Sequence, residues 1–127
     1  MQACFLSMLA LAVGTAPLLD TSDQIDGGAT VVYTVSIVEG IDYWVVLGCD
    51  EPSADLDIVI ASREMDFDRF MSLPYYEDFL YAGEFALASG THQGSEDLTL
   101  SAPYTGVAYV VVHDIGETGG HYQLRIY

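Results

Sequence analysis

The C-terminal third of the chain, residues 95–127, has the clearest pattern of apolar and polar positions. Apolar side chains stand at every second position in residues 97–101 and again in residues 121–127, and a valine-rich run at residues 108–113 lies between them. Alternation with a period of two is typical of strands that bury one face. The pattern therefore predicts three antiparallel strands joined by two loops.

The first half of the chain shows the same alternation in shorter segments. Residues 30–38 and 43–47 each predict a strand, and the Glu-Gly turn between them predicts that the two strands form a hairpin. Trp44 lies on the face opposite to that of its apolar neighbours. The polar, turn-rich residues 20–28 predict a loop that leads into the first strand.

Residues 61–94 form a long connection in which aromatic side chains are interleaved with acidic ones. Pro74 interrupts any long helix, so we expect one helical turn around residues 63–71 and a strand within residues 79–88. Two explanations of the aromatic residues stay open. They form a satellite core beneath the connection, or they provide a platform for a ligand such as a sugar.

Length and composition set the fold class. A chain of 127 residues has room for one domain and one core. About half of the residues are hydrophobic, as expected for a folded globular protein. Together with the strand pattern, this predicts a single-domain, all-β protein: an antiparallel β-sandwich or jelly roll of about seven to nine strands.

The charge balance excludes one class of partner. The sequence has 19 Asp and Glu residues, three arginines and no lysine, which gives a net charge of −16. We expect no nucleic-acid binding, because a phosphate backbone would be repelled and would find no cluster of cations. Two compatible interpretations stay open: a solvated acidic surface suited to a halophilic or marine setting, or carboxylates that converge on Ca²⁺.

The N-terminal residues predict export. Residues 3–19 carry no charge and precede a polar, acidic chain, which is typical of a secretory signal peptide. We expect residues 1–16 to be the signal peptide and residues 17–127 to be one mature domain, secreted, extracellular or at the cell surface, without a stable membrane span. A retained strand or a membrane anchor is the alternative. Without the leader, Cys4 is lost and Cys49 has no partner for an intramolecular disulfide.

No established catalytic motif occurs in the sequence. It lacks a G-x-S-x-G elbow, an H-E-x-x-H zinc motif, a C-x-x-C pair and a Gly-rich phosphate loop. His92, His113 and His121 are too scattered to predict a zinc triad. Nothing in the spacing of Ser101, His113 and Asp114 requires a hydrolytic triad. We therefore predict that the protein is not an enzyme.

The order and spacing of these segments resemble the bacterial pre-peptidase C-terminal domain, a secreted β-sandwich or jelly-roll module. The matching residues, outside the longer connection at 61–94, are Gly27-Gly28 with Tyr33-Thr34-Val35, Glu39-Gly40 with Tyr43-Trp44-Val45-Val46-Leu47, Ala54-Asp55-Leu56-Asp57-Ile58, Ser95-Glu96-Asp97-Leu98-Thr99-Leu100, Tyr104-Thr105-Gly106, Tyr109-Val110-Val111-Val112 and Gly119-Gly120-His121-Tyr122-Gln123-Leu124. The resemblance implies a non-catalytic module that follows the catalytic domain of secreted peptidases. In some collagenases of the family the module binds Ca²⁺ and substrate.

Four carboxylates are the predicted metal ligands. In the strand predicted at residues 55–60, Asp55 and Asp57 share the face opposite to the apolar residues. They stand where the resemblance places the family's acidic strand motif. Asp50 and Glu51 lie in the preceding loop and add oxygens. Because Ca²⁺ prefers several oxygen ligands, we expect these four residues to bind it. A purely solvated acidic surface is the alternative.

These observations favour a secreted, non-catalytic binding or accessory module. Its loops at residues 50–57 and 114–120 are expected to contact Ca²⁺ and an extracellular protein or polysaccharide. One alternative is a structural subunit of an extracellular filament or surface layer that self-assembles by pairing of strand edges. The other is a small secreted hydrolase, which the lack of a catalytic constellation opposes.

Overall fold

A computed structural model of the protein describes residues 17–51, 54–74, 76–90, 96–116 and 118–127. Eight strands and two short helices make up this part of the chain. The strands are β1 (Leu19–Ile25), β2 (Thr30–Ile37), β3 (Asp42–Cys49), β4 (Leu56–Ala61), β5 (Ala86–Gly90), β6 (Glu96–Ser101), β7 (Gly106–Asp114) and β8 (Gly120–Ile126). The helices are α1 (Phe67–Ser72) and α2 (Glu77–Gly83), and both lie between β4 and β5.

The strands form two four-stranded antiparallel sheets. Sheet I has the strand order β1-β8-β3-β6, and sheet II has the order β2-β7-β4-β5. Apolar residues from both sheets meet in one core, in which Leu47, Ile58, Val110 and Leu124 are fully buried. The all-β sandwich predicted from the sequence is confirmed, with eight strands.

The predicted hairpin between residues 30–38 and 43–47 is wrong. β2 pairs with β7 along its whole length, whereas β3 lies in the other sheet between β6 and β8. The turn at residues 38–41 therefore carries the chain from sheet II to sheet I. Alternation shows which face of a strand is buried, but it does not show which strand lies beside it. Because packed sheets are only about 10 Å apart, a short turn can lead to the facing sheet as well as to a hairpin partner.

The three strands predicted in the C-terminal third are confirmed, but they do not pair with one another. β6 and β8 lie on either side of β3 in sheet I. β7 lies in sheet II between β2 and β4. The chain therefore crosses between the two layers at both connections, as is typical of sandwiches with Greek-key or jelly-roll topology.

Residues 20–28, predicted to be a loop, contain most of an edge strand instead. β1 pairs with β8 from Leu19 opposite Ile126 to Ile25 opposite Gly120. Within β1 only Ile25 is buried, because the strand lies at the edge of sheet I. The polar sequence of β1 gave no sign of a strand. Its pairing with β8 uses backbone hydrogen bonds, which form without apolar side chains.

The long aromatic connection contains two helices and a strand rather than one helical turn and a strand. α1 lies in the region predicted to be helical, and Asp66 caps it by accepting a hydrogen bond from the N–H of Arg69 at 3.1 Å. The strand predicted within residues 79–88 is wrong for residues 79–83, which belong to α2. β5 begins at Ala86.

Both helices contribute to a second core on the outer face of sheet II. Phe70 of α1 and Phe79 and Ala82 of α2 are buried there with Val59 and Val111 of the sheet. The three-residue spacing of Phe79 and Ala82 places both on one face of α2. This burial explains why the segment is helical although aromatic residues favour strands. The prediction of a satellite core is confirmed for these side chains.

Several sequence predictions concern residues that the structure does not describe. The predicted signal peptide at residues 1–16, which includes Cys4, lies outside the described residues, and so does His92. Cys49, at the end of β3, is a free cysteine. Among the described ranges, no helix is both long enough and apolar enough to cross a membrane.

Candidate functional site

Three carboxylates lie at the end of the sandwich where β4 and β6 begin. Asp57 is only 5% exposed, because alternation along β4 turns its side chain towards the helix-covered face. Asp55 immediately precedes β4, and Glu96 is the buried first residue of β6. Burial, Asp55 and Glu96, in decreasing order of effect, raise the pKa of Asp57 to about 6. We call Asp55, Asp57 and Glu96 the acidic end.

The two aspartates of the acidic end have buried oxygens without a hydrogen-bond donor. Oδ1 of Asp55 and Oδ1 of Asp57 are both buried, and neither accepts a hydrogen bond in the part of the chain that is described. Such oxygens normally accept hydrogen bonds, since an unpaired buried carboxylate loses its hydration without compensation. A proton or a cation at the acidic end would lower this cost.

The other two predicted ligands have different surroundings. Oδ1 of Asp50 accepts a hydrogen bond from the N–H of His121 at 3.1 Å, which ties Asp50 to β8. The carbonyl oxygen of Glu51 accepts a hydrogen bond from the N–H of Ala54 at 3.0 Å. Within the described ranges, no three His, Cys, Asp or Glu side chains are placed so that they could hold one metal ion. The four predicted ligands are therefore not preassembled around a common point.

Sequence reasoning did not select Glu96. Along β6, Glu96 lies on the same inward side as Leu98 and Leu100, so the alternation placed a carboxylate at a core position. Oε1 of Glu96 comes within 2.7 Å of the position that a Cβ atom on Gly90 would occupy. A larger residue at the end of β5 would therefore require the carboxylate of Glu96 to shift. The signal in the sequence was a charged residue at an inward strand position.

The buried histidine and aspartate at the end of β7 have structural partners. Nδ1 of His113 is hydrogen-bonded to the hydroxyl of Thr30 at 2.7 Å, and its ring stacks on that of Phe79 with centroids 5.3 Å apart. Burial lowers the pKa of His113, and the opposing effects of Asp78 and Asp114 are smaller. Asp114 accepts hydrogen bonds from two backbone N–H groups of the following turn, at 3.0 and 2.6 Å.

The residues considered for a hydrolytic triad do not come together. Ser101 lies on the outer face of sheet I, where its hydroxyl donates a hydrogen bond to Oδ1 of Asp42 at 2.8 Å. His113 lies on the outer face of sheet II against α2. The two sheets therefore separate the hydroxyl from the imidazole, and no nucleophile–base pair forms between Ser101 and His113.

The outer face of sheet I carries two exposed aromatic residues side by side. Trp44 of β3 is 50% exposed, and Tyr127, which follows β8, is 42% exposed. Their ring centroids are 5.4 Å apart, and the ring planes are inclined by 32°. Nε1–H of Trp44 donates a hydrogen bond to Oδ1 of Asp97 on β6. This bond holds the indole ring in one orientation.

A depression lies farther along the same face. Ser22, Gln123 and Gly48 form one row across β1, β8 and β3. Because Gly48 has no side chain, the row leaves a depression of about 430 Å³, which Asp50 and His121 also line. We give the name open face to the outward-facing surface of sheet I that includes Ser22, Trp44, Gly48, His121, Gln123 and Tyr127.

Solved structures share this architecture. The pre-peptidase C-terminal domain of a collagenase from Bacillus anthracis is similar with a TM-score of 0.56 and 16% sequence identity, over 87% of this chain and 90% of that one. The chain has a pre-peptidase C-terminal domain-like fold. The resemblance recognised in the sequence is thus confirmed at the level of the fold.

Proteins of other kinds share this pre-peptidase C-terminal domain-like fold. The surface-associated copper-binding protein CorA of Methylomicrobium album BG8 matches with a TM-score of 0.55 and 9% identity, over 85% of this chain and 92% of that one. PliG of Aeromonas hydrophila, a periplasmic inhibitor of g-type lysozyme, matches with a TM-score of 0.55 and 13% identity, over 90% of each chain. No protein-family model and no curated protein matches the sequence.

Proposed function

We propose that this pre-peptidase C-terminal domain-like protein is a non-catalytic binding module, extracellular or at the cell surface, whose open face holds an extracellular protein or polysaccharide. The observation that carries the proposal is the difference between the two outer faces of the sandwich. Residues of α1 and α2 are buried against sheet II, whereas Trp44 and Tyr127 remain exposed on sheet I. Large exposed aromatic residues are enriched where proteins bind partners.

The placement of the titratable groups supports binding rather than catalysis. Asp57 and His113 are opposite each other across β4 and β7, and both are buried. Phe79 of α2 stacks on the imidazole. A general acid or base must come within hydrogen-bond distance of a substrate atom. These two groups lie beneath a packed helix instead.

We extend the proposal to Ca²⁺ binding at the acidic end. Asp55 and Asp57 each have a buried oxygen that accepts no hydrogen bond from the described residues, and Glu96 adds to the negative potential at Asp57. Ca²⁺ prefers carboxylate oxygens, and an ion here would offset the repulsion between the three side chains. Because the described ligands are not preassembled, they must move together on binding, which predicts modest affinity.

Thermal unfolding of the purified protein tests the metal proposal. We expect Ca²⁺ to raise the melting temperature more than Na⁺ does at the same ionic strength, since only a specific site adds binding energy to screening. The double variant Asp55→Asn, Asp57→Asn should lose this additional rise. Asp50→Asn tests whether the loop carboxylate contributes. Equal effects of Ca²⁺ and Na⁺ would contradict the proposal and leave the acidic residues as a solvated surface.

A panel of extracellular ligands tests binding through the open face. The panel contains soluble polysaccharides together with collagen and mucin, and we expect the protein to bind at least one of them. Thr99→Arg adds bulk beside Trp44, its neighbour across β3 and β6, and should abolish binding. Ser89→Arg, which introduces the same side chain at an exposed position of β5, is the matched control. Cleavage of any ligand in the panel would contradict the non-catalytic part of the proposal.

Assembly into a filament or surface layer remains a prediction. Sheet I ends in β1 and β6, and sheet II ends in β2 and β5. Edge strands of this kind are where a second copy adds to a sheet. Light scattering at increasing protein concentration tests the prediction, and a constant particle size would contradict it.

A further inference from the structure

We infer that the open face binds a neutral polysaccharide, whose sugar rings stack on Trp44 and Tyr127 while the adjoining part of the polymer enters the depression at Gly48. The inference rests on the proposed binding role and adds the chemical class of the ligand. Four features of the open face carry it: the aromatic pair, the polar groups beside it, the charge of the molecule and the extent of apolar surface.

The aromatic pair forms a fixed platform for stacking. Trp44 belongs to β3, which has a neighbouring strand on each side, so the backbone beneath the ring is held in place. The hydrogen bond to Asp97 orients the indole while half of the side chain stays exposed. Tyr127 extends the aromatic surface at a centroid distance of 5.4 Å. The C–H faces of sugar rings are apolar and pack on the faces of aromatic rings. The hydroxyl groups lie at the edge of the sugar ring and stay in contact with water.

Hydrogen-bonding groups continue from the aromatic platform into the depression. Gly48 is four residues from Trp44 along β3, which corresponds to about 13 Å. Ser22, Gln123 and His121 line the depression, and Arg125 lies between Tyr127 and Gln123 on the same face. Their side chains donate and accept hydrogen bonds, as sugar hydroxyls require. The combined length of platform and depression exceeds one sugar ring, so the open face fits a polymer better than a monosaccharide.

The charge of the molecule selects among polysaccharides. At a net charge of −16, the protein repels a polyanion such as alginate. Arg125, which lies on the open face between Tyr127 and Gln123, is paired with Asp20 at an N–O distance of 3.4 Å, so Asp20 offsets part of its attraction for an anion. A neutral polymer meets no electrostatic barrier at the open face.

The apolar surface of the open face is narrow. The positions next to the aromatic pair hold two aliphatic residues, Leu18 and Val46, and three polar or charged ones, Asp97, Thr99 and Arg125, so the apolar surface extends little beyond the two rings. Stable protein interfaces bury about 800 Å² on each partner around a more apolar centre. An aromatic pair beside a polar depression fits the alternating apolar and polar surfaces of a sugar polymer more closely.

Fluorescence gives a direct test, because Trp44 is the single tryptophan of the sequence. The purified protein is titrated with hydroxyethylcellulose, glucomannan and amylopectin, with alginate as the anionic comparison. Since a stacked sugar ring displaces water from the indole, we expect at least one neutral polymer to change the intensity or the wavelength of the emission. Alginate should produce no change at the same concentration and ionic strength.

Variants connect the signal to the open face. In affinity electrophoresis through gels that contain the bound polymer, Trp44→Ala and Tyr127→Ala should each weaken binding about tenfold. Gly48→Thr, which places a side chain in the depression, should weaken it as well. Leu80→Ala changes an exposed residue of α2 on the opposite side of the sandwich and should bind as the wild type does. Circular dichroism confirms that each variant is folded.

The outcomes separate this inference from the proposed function. It is overturned if no neutral polymer binds, if alginate binds more tightly than the neutral polymers, or if folded Trp44→Ala binds like the wild type. If collagen or mucin binds, no neutral polymer does, and the binding is lost in Thr99→Arg, the inference is overturned and the proposed function is supported. If nothing in the panel binds, both fail.

Discussion

Asp57 retains a proton at pH values where a solvated aspartate is ionised. Its pKa is raised from 3.8 to about 6 by burial and by the charges of Asp55 and Glu96. Between about pH 4 and pH 6 the folded state therefore binds more protons at this carboxyl than the unfolded state does. The contribution of Asp57 to the free energy of unfolding is largest below that range and falls as the pH rises through it.

Replacing Asp57 with asparagine should remove this pH dependence. In the presence of chelator at pH 7.5, we expect Asp57→Asn to increase the free energy of unfolding by about 1–3 kcal/mol, because no charge remains to be buried. At pH 4 the variant and the wild type should be nearly equal. Urea unfolding at the two pH values measures both differences.

The control for Asp57→Asn is Asp68→Asn, which removes the same charge from an exposed position in the first turn of α1. Each variant is compared with the wild type at the same pH, so the opposite pH dependence that His113 gives to the free energy of unfolding cancels from the difference. Burial lowers the pKa of His113, so its contribution to stability is lost as the pH falls below about 6.5. A lower stability of Asp57→Asn at pH 7.5 would contradict the assignment of a buried, repelled carboxyl.

At the scale of elements, α2 is held to sheet II by one face. Phe79 and Ala82 are buried in the second core, whereas Leu80 is exposed. The helix begins next to Tyr76, whose φ of 70° is unusual for a residue with a side chain. A seven-residue helix is too short to be stable by itself, so burial against the sheet determines its conformation.

Adjacent residues of α2 provide a matched pair of variants. Phe79→Ala should lower the free energy of unfolding by about 3–5 kcal/mol, because it leaves a cavity and removes the ring that stacks on His113. Leu80→Ala changes an exposed side chain and should alter stability by less than about 0.5 kcal/mol. Urea unfolding of both variants measures the contrast, and similar values would show that α2 does not pack as described.

At the scale of the whole molecule, the two outer faces of the sandwich have different surroundings. The second core uses much of the aromatic content of the 61–94 connection to cover sheet II, while sheet I presents its aromatic pair to solvent. The negative charge acts over the entire surface, and repulsion between like charges opposes the compact state until salt screens it. For this reason the Ca²⁺ experiment requires a comparison at matched ionic strength.

The sequence by itself determined the class of the fold and the orientation of most strands. Period-two alternation identified β2, β3, β4, β6 and β8, because an inward position must be apolar wherever one face of a sheet is buried, and the valine-rich run identified β7. The same rule placed Trp44 on the outer face. The alternation also singled out Asp55 and Asp57, two of the three residues of the acidic end, because they lie opposite to the apolar residues of the predicted strand.

Only the tertiary structure decided which strands are neighbours. Alternation is identical for a hairpin and for a turn that crosses between layers, so the predicted pairing of β2 with β3 was wrong. β1 depends on backbone hydrogen bonds to β8, and α2 depends on burial against sheet II; neither leaves a strong local signal. Glu96 joined Asp57, and Tyr127 joined Trp44, for the same physical reason: strands distant in sequence become adjacent only when the sheets form.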